Sequence, residues 1–220
     1  MQLVRDGAEL RPAPLCAAEL AAIEVALSAI PAHRPGTRLA SDPALSARLA
    51  AAGTIGRIAA DHLGPDARPV RAILFNKSAA ANWSLGWHQD RTIAVRGRID
   101  TPAFSNWTIK SGVQHVEPPF ALLERMLTLR AHLDTAGPDN APLLISPGTH
   151  RLGRVPEAHI PRIVAHHGTH ACIAARGDVW LYATPILLAS DAARAPAARR
   201  VLHVDYSADA LPGGLAWLAV

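Results

Sequence analysis

The chain has 220 residues, half of them hydrophobic and 18% charged, with a net charge of +4. That length holds one domain with a full core, and the composition excludes a disordered or collagen-like chain. Apolar runs are short and broken by charges or prolines, so no membrane-spanning segment is expected. The positive balance carries no nucleic-acid motif: the only lysines are Lys77 and Lys110, and most arginines are dispersed singly.

Met1 to Leu10 carries Arg5, Asp6 and Glu9 where a secretory signal would need an apolar stretch. Cys16 and Cys172 form neither a metal-type pair nor a disulfide framework, so a reducing cytoplasm is the expected setting.

Two helices are predicted first. Leu15 to Ile30 has apolar residues at helical spacing and stops before Pro31; Pro43 to Leu63 starts on a Ser41-Asp42-Pro43 cap and stops at Gly64-Pro65. From Arg68 the pattern changes to short strands: Arg71–Phe75, Met126–Leu133, Pro142–Ile145, Asp178–Tyr182 and Val201–Tyr206. Pro119 to Arg125 reads as a short packing helix, and His166, His167 and His170 as exposed loop residues before the Cys172 strand. Several strands with no regular helix between them argue for a closed or sandwiched antiparallel sheet. The expected architecture is a single domain of residues 1–220, mostly β with N-terminal helices. A helical part, 1–66, packs on a jelly-roll core of residues 67–220, a double-stranded β-helix of cupin-like type.

The stretch NWSLGWHQDR, Asn82 to Arg91, carries the chemistry. His88 and Asp90 are two apart, so on a strand they share a face. An imidazole beside a carboxylate suits Fe(II), but a facial triad needs a second histidine from elsewhere.

Here the chain resembles the phytanoyl-CoA dioxygenase family of Fe(II)- and 2-oxoglutarate-dependent oxygenases, from about Arg71 to Trp217. His88-Gln89-Asp90 matches that family's His-x-Asp. Pro142–Gly153, PLLISPGTHRLG, resembles its proline-glycine turn, and Gly177-Asp178-Val179 opens the strand leading to the distal ligand. Arg199 stands where the family's arginine binds the distal carboxylate of 2-oxoglutarate, and the closing LPGGLAWL resembles bacterial members. The resemblance implies iron on His88 and Asp90, 2-oxoglutarate on Arg199 and Ser190, and oxidation of a small organic substrate, with ascorbate as reductant in assays.

One position departs from the family. Its distal histidine should fall within Thr184–Ser190, TPILLAS, and the chain has Leu188 there. Leucine has no lone pair, so the third protein ligand is missing and the expected cycle is slow or dead. A natural inactive member, an engineered knock-out and a site rebuilt for other chemistry all fit this letter. The alternative function is a catalytically inactive jelly-roll protein that binds ligand without turnover. Asp191, His203 and His150 are candidate substitutes; His203-Val204-Asp205 is a second same-face pair in the final strand. Lys77 is a candidate partner for a 2-oxoglutarate or substrate carboxylate. Trp83, Trp87 and Trp107 are candidate substrate-pocket walls or core filler. The geometric expectation is that His88 and Asp90 point into a barrel mouth, with Leu188 facing them and Arg199 deeper.

Overall fold

The computed structural model describes residues 1–39 and 42–220. Its helices are α1 (Leu3–Asp6), α2 (Ala17–Ala26), α3 (Pro43–Leu49), α4 (Gly56–Leu63), α5 (Phe120–Leu123) and α6 (Ile160–His167). The first strands are β1 (Ala8–Arg11), β2 (Gly36–Arg38), β3 (Arg68–Lys77), β4 (Leu85–His88), β5 (Ile93–Val95), β6 (Ser105–Lys110) and β7 (Val113–Glu117). The remainder are β8 (Leu127–His132), β9 (Leu143–Ile145), β10 (His170–Cys172), β11 (Val179–Ala183), β12 (Leu188–Ser190) and β13 (Arg199–Ser207).

A six-stranded sheet runs β1-β11-β8-β13-β3-β2, and a four-stranded sheet runs β10-β9-β12-β4; β5, β7 and β6 make a third, smaller sheet. Every pairing between these strands is antiparallel. This is the mostly β, jelly-roll architecture expected from the strand spacing.

Strand alternation divides the large sheet into two faces. Leu129, Leu181, Leu202, Val204 and Tyr206 point outward and pack with Leu20, Ile23, Leu45, Leu49 and Ile55 of the helical segment. The opposite face looks toward the four-stranded sheet, where Leu143, Ile145, Trp180, Tyr182 and Leu188 pack together. The N-terminal segment also contributes both edge strands of the large sheet, β1 and β2.

Three local expectations are corrected. The helix expected over 43–63 is two helices, α3 and α4. At Gly53 and Gly56 a Cβ would stand 2.3 and 2.0 Å from the Ala47 and Ala50 carbonyl oxygens, so the chain turns too tightly for side chains there. The cap is partly as expected: Asp42 accepts from Leu45 N–H at 3.0 Å, while Ser41 lies outside the described residues. His166 and His167 end helix α6 rather than lying in a loop, and His170 opens β10. Pro161 in the first turn of α6 fits a helix start, and Ile160, Ile163 and Val164 form its packed face.

Candidate active site

The two main sheets enclose a cavity of about 130 Å³, and His88, Asp90, Leu188, Ser190 and Arg199 all line it. Its walls come from β3, β8, β11 and β13 on one side and from β4, β9 and β12 on the other. His88 and Leu188 are direct partners in the β4–β12 register.

The His88 ring is fixed by its own strand. Nδ1 lies 2.7 Å from the Gly86 carbonyl, so Nδ1–H donates there, the tautomer that leaves the lone pair on Nε2. Nε2 is 4.0 Å from Asp90 Oδ1, and Asp90 Oδ2 is 3.9 Å from an Arg71 amino group. Gln89, between them, faces the other way and is buried. It donates to the Gly153 and Pro185 carbonyls at 3.0 and 2.8 Å and accepts from Val155 N–H at 2.9 Å. Those three bonds hold the His-x-Asp segment, at the end of β4, against the loop between β9 and α6 and against the β11–β12 turn.

The interior face of the large sheet is charged and layered. In the β13 register, Arg199 pairs with Lys77, Val201 with Phe75 and His132, His203 with Ile73 and Arg130, and Asp205 with Arg71 and Thr128. At the Asp90 end, Arg71 Nε donates to Asp205 at 2.5 Å, Thr128 donates to Asp205 at 3.0 Å, and His203 Nε2 lies 3.2 Å from the same carboxylate. Burial alone would raise the Asp205 pKa, but the Arg71 charge and His203 hold it below the usual carboxylate range.

At the far end Arg199 is almost fully buried, donates to the Ala141 carbonyl, and leaves its Nε without a partner. Arg130 is also buried with an unpartnered Nε, its guanidinium 5.6 Å from the Phe75 ring centre. Burial, then the Arg130 charge, lowers the Arg199 pKa to about 9. Burial, with Arg199 and Arg130 nearby, lowers Lys77 to about 8.

The remaining sequence candidates lie in different places. Lys77 sits behind the cavity wall, its Nζ donating to the Trp83 and Asp191 carbonyls at 2.7 and 2.6 Å and to Ser190 Oγ at 3.2 Å. Trp83 lines the cavity and lies under that ammonium, 4.8 Å from ring centre to Nζ. Trp87 borders a separate outer groove between β4 and α6, which meets the cavity at His88. Trp107, on β6, packs against the cluster of Ile93, Val95 and Trp217, under Arg98. Asp191 is exposed, and His150 packs beside Gly7 instead of lining the cavity. His203 does line it. Among the described residues no group of three or more His, Cys, Asp or Glu side chains is placed to hold a metal.

Sequence reasoning missed Arg71, Arg130 and Gln89 as site residues. Alternation along TLRAH does put Thr128, Arg130 and His132 on one face, but only the β8–β13 pairing shows that this face is the interior.

The family model described as phytanoyl-CoA dioxygenase (PhyH) matches residues 19–201, most of the chain. The chain belongs to the phytanoyl-CoA dioxygenase family. No curated protein matches it. Among solved structures, EctD from S. alaskensis with 2-oxoglutarate and 5-hydroxyectoine superposes with a TM-score of 0.68 at 20% identity, over 93% of this chain and 73% of that one. AviO1 from Streptomyces viridochromogenes Tue57 gives 0.66 at 16% identity, over 96% and 94%. HygX from Streptomyces hygroscopicus with nickel and 2-oxoglutarate bound gives 0.61 at 15% identity, over 93% and 84%. At such identities these likenesses establish a shared fold. Among the described residues no helix is long and apolar enough to cross a membrane.

Proposed function

We propose that this member of the PhyH family is an Fe(II)- and 2-oxoglutarate-dependent dioxygenase-type protein for a small organic substrate, acting in the cytoplasm, with turnover impaired at Leu188. The observation that carries this reading is the β4–β12 register, in which Leu188 stands opposite His88 at the cavity wall. Structures of this fold carry iron, nickel or 2-oxoglutarate in EctD and HygX, which supports the same co-substrate here.

2-Oxoglutarate fits the cavity. Arg199 offers a buried guanidinium with a free Nε, and a planar fork meets a carboxylate through two bonds. Ser190 lines the same wall, and Lys77 steadies its hydroxyl from behind. Iron fits less well. His88 Nε2 and Asp90 supply one nitrogen and one carboxylate donor, and the isobutyl group of Leu188 supplies none. Iron with 2-oxoglutarate is the source of oxidising power in this family. The protein's share is to hold the co-substrate by Arg199, to present His88 and Asp90, and to exclude water with Phe75, Trp83 and Leu143. Trp83 is the tryptophan assigned to the substrate side of the cavity; Trp87 would meet substrate only through the outer groove.

The test is succinate release from 2-oxoglutarate in air with Fe(II) and ascorbate, for this chain and for Leu188→His. Turnover confined to the histidine variant supports the proposal. Full turnover by the unaltered chain overturns the assignment of Leu188.

A second reading, a ligand-binding protein without turnover, is favoured by the missing third donor among the described residues. It predicts 2-oxoglutarate binding with no succinate release from either protein.

A further inference from the structure

The interior of the barrel holds more positive charge than one co-substrate carboxylate needs. Arg71, Arg130 and Arg199 line the cavity, with Lys77 buried directly behind it. Among the described residues, Asp90 and Asp205 are the carboxylates that face these cations inside the barrel, the exposed Asp191 acting on Lys77 from outside, and Asp205 is already shared by Arg71, Thr128 and His203. Counting these lysine, arginine and aspartate side chains alone, the enclosed excess is two positive charges.

The excess is distributed along the cavity. Arg199 and Lys77 share one register level at one end, and Arg71 pairs with Asp205 at the other. Arg130 starts two levels from Arg199, about 13 Å along the strand, and leans over Phe75, toward Arg199. Arg71 bridges Asp90 and Asp205, which places a protein cation beside the carboxylate expected to face iron. Arg130 and Arg199 each keep a buried Nε without a partner. Buried donors and charges without partners are unfavourable, and a bound anion relieves both.

We infer that the cavity binds small dicarboxylates without a metal, one carboxylate on Arg199 and the other on Arg130. The inference rests on the assignment of Arg199 as the co-substrate anchor and extends it to a second anchor. Iron, if held by His88 and Asp90, would recognise the keto-acid end of 2-oxoglutarate, so metal-dependent binding would require the keto group. Held by two guanidinium groups, the ligand is recognised by its two charges and their spacing, and the keto group contributes little. Burial first, and then the Arg130 charge, lowers the Arg199 pKa to about 9, and a bound anion would oppose both effects.

The test is calorimetric titration of the full chain in EDTA with 2-oxoglutarate, glutarate and the monocarboxylate valerate, repeated anaerobically with Fe(II) in place of EDTA. The expected result is metal-free binding of 2-oxoglutarate and glutarate within about threefold of each other, with valerate about tenfold weaker or more. Arg130→Met should weaken both dicarboxylates by about tenfold or more, while its ligand-free melting temperature stays equal or rises, because a buried charge has been removed. Arg130→Lys, which keeps the charge, should lose less.

Binding that appears only with Fe(II) overturns the inference and leaves the proposed function standing. A tenfold preference for 2-oxoglutarate over glutarate in EDTA, or unchanged binding by Arg130→Met, also overturns it. Absence of dicarboxylate binding under both conditions removes the inference and the proposed function together.

Discussion

Leu188 and His88 are register partners across the β12–β4 pair, so an aliphatic side chain lies beside the imidazole whose Nε2 is free to bind a metal. Leu188 is nearly buried and also pairs with Ile145 on β9, so it belongs to the packed interior as well as to the cavity wall. A site residue and a core residue coincide at this position.

The buried Arg71–Asp205 pair should dominate the stability of the barrel at its Asp90 end. Removing one partner leaves an uncompensated charge, which is far more damaging than losing the pair's own attraction. Asp205→Asn is expected to lower unfolding free energy by about 3–5 kcal/mol, measured by urea denaturation. Because the folded pKa of Asp205 is lowered, its contribution is complete above the ordinary carboxylate pKa of about 3.9 and fades as pH falls below it.

His132 sets a second pH dependence. Burial, with the Arg130 and Arg199 charges, lowers its pKa to about 3, so the folded protein keeps it neutral. The unfolded chain takes up the proton near the ordinary value of about 6.5. Stability from this residue is therefore complete above that value and declines as pH falls toward the folded one. Between about pH 7 and pH 5, the chain should lose about 2 kcal/mol more stability than His132→Gln. His115, lowered to about 4 by burial, continues to contribute in both proteins.

Gln89 is the support of the His-x-Asp segment. Its three hydrogen bonds join β4 to Gly153, Val155 and Pro185, and Gln89→Ala leaves a buried Val155 N–H without a partner. The expected loss is about 2–4 kcal/mol in denaturant unfolding. A loss under about 1 kcal/mol, the worth of a single hydrogen bond, would assign the segment's position to packing instead.

Much of this organisation is legible in local sequence. Two-residue periodicity marks the buried and interior faces of β3, β8 and β13, and the His88–Asp90 spacing puts both side chains on one wall. What is illegible depends on long-range pairing. Arg130 becomes a cavity residue because β8 lies beside β13, and Lys77 turns to the Trp83 and Asp191 carbonyls because the chain returns past it after β12. The break between α3 and α4 depends on a close backbone approach at Gly53 and Gly56, and helix α6 is short and rich in histidine, which masks its apolar face.

On the proposed reading, Leu188 stands where a metal ligand is needed in an otherwise ordered site. The decisive measurement is anaerobic Fe(II) titration in saturating 2-oxoglutarate, comparing this chain with Leu188→His. The histidine variant is expected to bind Fe(II) at least about tenfold to a hundredfold more tightly, the scale on which even indirect supports of a metal ligand act. Equal affinity in the two proteins would contradict it, because position 188 would then lie outside the metal's reach.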